Sequence, residues 1–96
     1  MIRSIEIHYR KKADKFFVKN SHVLTKAQAD QLIIKAVRKI YGDASVRIDL
    51  KKMTNMDSYF RIRKGNVRIV FSMKETGDLI VSIVDEVGYR GGIYKK

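Results

Sequence analysis

The chain has no cysteine and no proline, and it holds only two histidines. Without cysteine there is no disulfide stapling, no thiol nucleophile and no cysteine-ligated zinc. Without proline there is neither a proline-rich linker nor a cis-proline folding step. No run approaches the roughly 18 apolar residues of a membrane span. No apolar signal core follows the basic residues near the start, so the expected compartment is the cytoplasm. A Gly-rich phosphate loop and a Ser-His-Asp set are both missing. His8 and His22 lack a third ligand at zinc-like spacing, so both read as solvated or structural side chains. Neither a metal nor a cofactor is expected.

Acidic residues are also scarce, and this shapes the rest of the reading. Twenty-one Lys and Arg against ten Asp and Glu leave a net charge of +11 on 96 residues. A chain of this length is one domain, residues 1–96, burying about 60–65% of the surface it exposes when unfolded. So large an excess of one sign costs self-repulsion, and a polyanionic partner is the usual reason for it. An acidic protein or an anionic lipid surface are the alternatives. Residues 1–46 carry ten basic and four acidic groups, residues 47–74 eight and two, and residues 75–96 three and four. The basic residues alternate with apolar ones inside periodic segments, so this is not a charged tail on a neutral domain.

The period of the apolar residues orders the chain. Ile5 to Tyr9 alternates apolar with polar, as a half-buried strand does. Ala13, Phe16 and Phe17 mark a short amphipathic helix from about Lys11 to Asn20. Thr25 with Gln28 has capping-box spacing. Ala29, Leu32, Ile33, Ala36, Val37 and Ile40 follow on one helical face, and Gly42 stands where a C′ glycine ends a helix. Val46, Ile48 and Leu50 form a short strand or an extended connection, and Met53 to Asp57 reads as loop. Phe60–Arg63 and Val67–Met73 read as a hairpin around Lys64-Gly65-Asn66. Leu79–Val84 is nearly all apolar, which predicts a central strand covered on both faces. The fold class is α+β: a small antiparallel sheet, a three- to four-strand meander joined by the N-terminal strand, with two N-terminal helices packed on one face.

Two places could carry chemistry. Arg61 and Arg63 are two apart in a strand, so they project from the same face about 7 Å from each other, and Arg68 lies on the partner strand. Arginine offers a planar fork of donors that suits a phosphodiester. Three of them on one sheet face make an anion site, or else positive charge that keeps a sheet edge from aggregating. Spacing alone does not choose. At the C-terminal end, Val87-Gly88-Tyr89-Arg90-Gly91-Gly92-Ile93-Tyr94 reads as a glycine-rich loop leaving a rigid strand. Such a loop either presents Tyr89, Arg90 and Tyr94 or merely covers the edge of the core.

Here the residues resemble a family. Tyr59-Phe60-Arg61-Ile62-Arg63-Lys64-Gly65-Asn66-Val67-Arg68-Ile69-Val70-Phe71 is similar to the "yRiRvGdyRviY" core of the RelE/ParE toxin superfamily. Val87-Gly88-Tyr89-Arg90, followed by Ile93-Tyr94, resembles its "vgHRrdvY" terminus. The resemblance covers nearly the whole chain and implies a RelE-like fold and a toxin of a type II toxin–antitoxin system. RelE-type members are ribosome-dependent endoribonucleases that cut messenger RNA, whereas ParE-type members poison DNA gyrase. The RelE pattern places its basic pair on Arg61 and Arg63, its hairpin arginine on Arg68, its terminal arginine on Arg90 and its C-terminal tyrosine on Tyr94. Tyr89 departs from it, standing where many relatives have a histidine base. Only three residues separate Arg90 from Tyr94, which is a second departure.

The implied reaction needs no metal, because the neighbouring 2′-hydroxyl can attack its own phosphate if it is oriented and the developing charge is neutralised. Arg68 and Arg90 would neutralise that charge. Arg61, Arg63 and Lys64 would hold the flanking backbone, Tyr94 would act as base or stacking partner, and Tyr89 would stack on a base. The rival readings are a ParE-type gyrase inhibitor and a non-catalytic module that binds RNA or the ribosome. The resemblance also implies a small, acidic antitoxin covering the helices and the arginines. The affinity of such an acidic partner should fall between low and high salt in a titration series, and an affinity indifferent to salt would contradict the electrostatic basis of that pairing.

Overall fold

Thr25 begins the longer helix as its spacing with Gln28 predicts. The Thr25 hydroxyl accepts from the Gln28 amide at 3.1 Å, and the Thr25 amide donates to Gln28 Oε1 at 2.9 Å. At the other end Gly42 adopts a left-handed φ of 99°. Its N–H donates to the Lys39 carbonyl and that of Asp43 to the Arg38 carbonyl, both at 3.0 Å. These two bonds make a Schellman cap, which satisfies carbonyls the helix itself cannot.

The computed structural model describes residues 4–54 and 58–89. In chain order the elements are β1 (Ser4–Tyr9), α1 (Lys11–Asn20), α2 (Lys26–Ile40), β2 (Asp49–Lys52), β3 (Tyr59–Lys64), β4 (Val67–Thr76) and β5 (Leu79–Tyr89). They form one five-stranded sheet in the order β1-β5-β4-β3-β2. The strands from β2 to β5 are an antiparallel meander. Gly65 and Gly77, each at φ 58°, open its two-residue turns after β3 and β4, where a first central residue with positive φ matches the twist of the strands.

The α+β class and the two helices on one face are as the sequence predicts, but the sheet is mixed. β1 pairs with β5 in parallel, Ser4 opposite Leu79 through Tyr9 opposite Val84. The helices carry the chain from β1 to β2 at the opposite edge, and the meander returns it to β1, so the connection between the parallel pair is long, as such a pair requires.

Burial divides the sheet into two faces. Ile62, Val67, Ile69, Phe71, Ile80, Val84 and Val87 form one cluster with Ala13, Phe16, Phe17 and Leu24 and with Ala29, Leu32, Ile33, Ala36 and Val37 of α2. Phe71, Ile62 and Ile69 are each at most 1% exposed, and burying a side chain of this size contributes about 1.5–3 kcal/mol. Tyr9 fastens β1 to the helices. Its hydroxyl donates to Asp30 Oδ1 at 2.5 Å, and its ring meets Phe17 edge to face at 5.4 Å. Burial and the Asp30 carboxylate push its phenol well above the ordinary tyrosine range.

Two expectations need correction. β5 is not covered on both faces: its helix-side residues are buried, while Leu79, Val81 and Ile83 on the far side are half-buried. An apolar run signals an interior strand, but here the flanking strands rather than a second layer cover it. In addition, Val87-Gly88-Tyr89 is not loop; it continues β5 past an irregularity at which Val70 faces Glu86 and Phe71 faces Val84, leaving Asp85 as the extra residue. Of the uncertain segment from Val46 to Leu50, only Asp49 and Leu50 enter a strand. No helix among the described residues is long and apolar enough to cross a membrane.

The two helix caps generate a stability prediction. Thr25→Ala removes an N-cap acceptor and Gly42→Ala forces a side chain into a left-handed conformation, so each should cost about 1 kcal/mol in urea unfolding. The caps stand at opposite ends of a 15-residue helix, so the double variant should lose the sum.

Candidate functional site

Strand alternation places the arginines. On β3, Phe60 and Ile62 face the helices, so Arg61 and Arg63 must point to the other face. On β4, Val67, Ile69 and Phe71 face the helices, and Arg68 takes the far side with Val70. The register then brings the charges together. Arg63 lies directly opposite Arg68, and Arg61 lies opposite Lys51 of β2. Directly opposed residues have Cβ atoms about 4.5–5.5 Å apart, and like charges so placed are destabilising. Two such pairs share one face.

Exposure rises across the cluster from its middle to its rim. Arg68, on an inner strand, is only 5% exposed. The side chain of Arg61 is 13% exposed and that of Arg63 41%. Opposite Arg68 on β5 stands Gly88, which leaves that neighbouring position without a side chain. One carboxylate reaches the cluster from β2: Asp49 lies 3.3 Å from Arg61 Nη2 through Oδ1 and 3.7 Å from Arg63 Nε through Oδ2. Farther along, the acidic residues of β5 are already paired. Asp85 accepts from Arg10 Nε at 2.9 Å, and Glu86 lies 3.2 Å from Lys12 Nζ.

The arrangement is a face with a deep arginine, two shallower ones and a lysine beside them. It can hold a phosphodiester by bidentate hydrogen bonds and supply positive charge to oxygens that become more negative in a transition state. Among the described residues no three His, Asp or Glu side chains gather to hold a metal ion.

Three solved structures share this architecture. A chain of the RelB–RelE antitoxin–toxin complex of Methanococcus jannaschii is 24% identical, with a TM-score of 0.50, over 91% of this chain and 94% of that one. The YoeB/ParE toxin of Agrobacterium tumefaciens is 11% identical with a TM-score of 0.60, over 88% and 98% of the two chains. A chain of the DinJ–YafQ complex of Escherichia coli is 7% identical with a TM-score of 0.63, over 96% and 100%. The chain has a RelE-like fold. No protein-family model matches the sequence, and no curated protein matches it.

Within this RelE-like fold the residues singled out in the sequence divide into three groups. Arg61, Arg63 and Arg68 come together as their spacing predicts. Tyr89 and Lys64 do not join them, because both fall on the phase of Val67. Tyr89 turns toward α1: its hydroxyl donates to Asn20 Oδ1 at 2.8 Å, and its ring lies 5.4 Å from that of Phe16. It therefore braces the end of β5 instead of offering a stacking surface beside the arginines. Lys64 is exposed at the hairpin tip, lining a hollow of about 400 Å³ with Val23, Leu24 and Tyr89. Arg90 and Tyr94 lie outside the described residues. Sequence reasoning missed Lys51 and Asp49, which β2 delivers to the cluster. The alternation through Asp49 was visible, but nothing in the sequence named β3 as its neighbour.

Proposed function

We propose that this protein is a RelE-like toxin, an endoribonuclease that cuts messenger RNA on the ribosome and so inhibits translation. The observation that carries the proposal is the convergence of Arg61, Arg63 and Arg68 on the sheet face that the helices leave uncovered. Like-charge pairs in direct register weaken a sheet, and a bound phosphate chain would compensate them.

The chemistry follows from what such a face supplies. The 2′-hydroxyl of one nucleotide attacks the adjacent phosphorus, a new P–O bond closes a 2′,3′-cyclic phosphate, and the bond to the departing 5′-oxygen breaks. A base takes the 2′ proton, and the 5′-oxygen receives one. Arg61 and Arg63 at the rim hold the backbone in the attacking geometry. Arg68 underneath faces the scissile phosphate and stabilises the charge that builds on its oxygens. The resemblance matches Arg90 to the terminal arginine of the pattern, which would be the second charge-stabilising group, and Tyr94 is the candidate base or stacking partner. With the Tyr89 hydroxyl committed to Asn20, Tyr94 is the tyrosine proposed for proton transfer.

An antitoxin is part of the same proposal. The M. jannaschii chain belongs to an antitoxin–toxin complex. A small acidic partner would neutralise a surface of this charge, and the proposed place of action is the cytoplasm.

The test is end-mapping of a defined message in a reconstituted translation reaction, with and without ribosomes. Cuts that require ribosomes are expected from the wild type, and Arg61→Ala and Arg63→Ala should reduce them. Because Arg68 is buried, Arg68→Ala risks leaving a cavity; Arg68→Lys keeps the stem and the charge while removing the planar fork, and should lose most cleavage. Absence of cuts under every condition would overturn the nuclease reading and make DNA supercoiling by gyrase the next assay.

A further inference from the structure

The carboxylate of Asp49 occupies a place that the proposed function requires for RNA. Asp49 is the one acidic residue on β2 and β3, and the register sets it directly opposite Arg63. Each of its two oxygens addresses a different arginine, Oδ1 at 3.3 Å from Arg61 Nη2 and Oδ2 at 3.7 Å from Arg63 Nε. A phosphodiester also presents two anionic oxygens, and arginine forks accept carboxylate and phosphate in the same bidentate manner. Both separations exceed the 2.7–2.9 Å of a tight charge-assisted hydrogen bond. The Asp49 side chain is 48% exposed and sits on an edge strand, so water and incoming ions reach it. Asp49 is thus held by two long contacts and remains open to solvent. The acids of β5 differ, since Asp85 and Glu86 each pair with a single cation from the start of the helical segment.

We propose that Asp49 is an internal counter-ion of the phosphate site, a positioning residue that keeps Arg61 and Arg63 together and must be displaced by a substrate phosphate. This rests on the reading of the arginine face as an RNA site. Its consequence is selectivity. The internal carboxylate lowers affinity for any isolated RNA strand, so that only RNA already held by other contacts, such as a message in the ribosome, competes effectively for the arginines.

The test is the binding of a short fluorescent 2′-O-methyl oligonucleotide, which cannot undergo 2′ attack, across a salt series. Asp49→Asn keeps shape and hydrogen bonding while removing the charge. It should bind about three- to tenfold more tightly at low salt, with the slope of log K against log salt steeper by about 0.7, as for one further phosphate neutralised. Asp49→Ala should shift in the same direction. Asp78→Asn, in the turn after β4 at the opposite end of the sheet, makes the same change in net charge and should leave the slope unaltered. Asp49→Asn binding no tighter than Asp78→Asn, or weaker than wild type, would overturn the proposal, as would failure of wild type and Asp49→Asn alike to bind. If the message is not cut but Asp49→Asn still tightens binding, the nuclease reading fails and the counter-ion stands. If cleavage depends on Arg61 and Arg63 but Asp49→Asn leaves affinity unchanged, the counter-ion fails and the nuclease stands.

Discussion

The register of the β3–β4 hairpin is the constraint on which this molecule depends. Ile62 packs opposite Ile69 and Phe60 opposite Phe71 on the side of the helices. Because side chains alternate along a strand, those two pairs oblige Arg61, Arg63 and Arg68 to share the other side. A slip of one residue would drive arginines into the core and apolar side chains into water. The turn at Gly65 and the core under the helices therefore hold one another in place, and the cationic face is the by-product of that agreement.

Charge is distributed around this hairpin with little left to chance among the described acids. Asp85 and Glu86 are matched by Arg10 and Lys12, and Asp14 lies 3.0 Å from Lys26 Nζ. Exposed pairs of this kind contribute little stability individually. Their effect is to leave a region of concentrated positive charge at Arg61, Arg63 and Lys51, with Asp49 the carboxylate that pairs with it among the described residues. Such a region raises the local concentration of a polyanion and speeds its encounter. Arg68 is 5% exposed and the Arg63 side chain 41%, so that in the proposed nuclease recognition at the rim and charge stabilisation deeper in would fall to different residues.

Much of this was legible in the chain. The two helices, both caps of α2 and the arginine hairpin follow from local spacing and turn chemistry, and each appears where the pattern puts it. What the sequence could not show was long-range pairing. The parallel place of β1 beside β5 depends on a crossover, and local patterns do not encode which edge a crossover reaches. Lys51 and Asp49 entered the site because β2 pairs with β3, a fact of tertiary register. Tyr89 was misplaced for a related reason: the irregularity at Asp85 resets the alternation of β5 and turns the tyrosine toward Asn20. The apolar content of Leu79–Val84 suggested two covered faces, although an interior strand gains that burial from its neighbours in the sheet.

The most direct measurement of the central claim is an NMR titration of the arginine side-chain Nε–H resonances with a 2′-O-methyl oligonucleotide. Arg10 and Arg38 serve as internal references, since Arg10 immediately precedes α1 and Arg38 lies on α2, away from the β3–β4 arginines. If the far face of the sheet is the RNA site, Arg61 and Arg63 shift at the lowest oligonucleotide ratios while Arg10 and Arg38 hardly move. Equal shifts at all four, or larger shifts at Arg10 and Arg38, would show that RNA binds the charge of the domain at large and not the arginine hairpin.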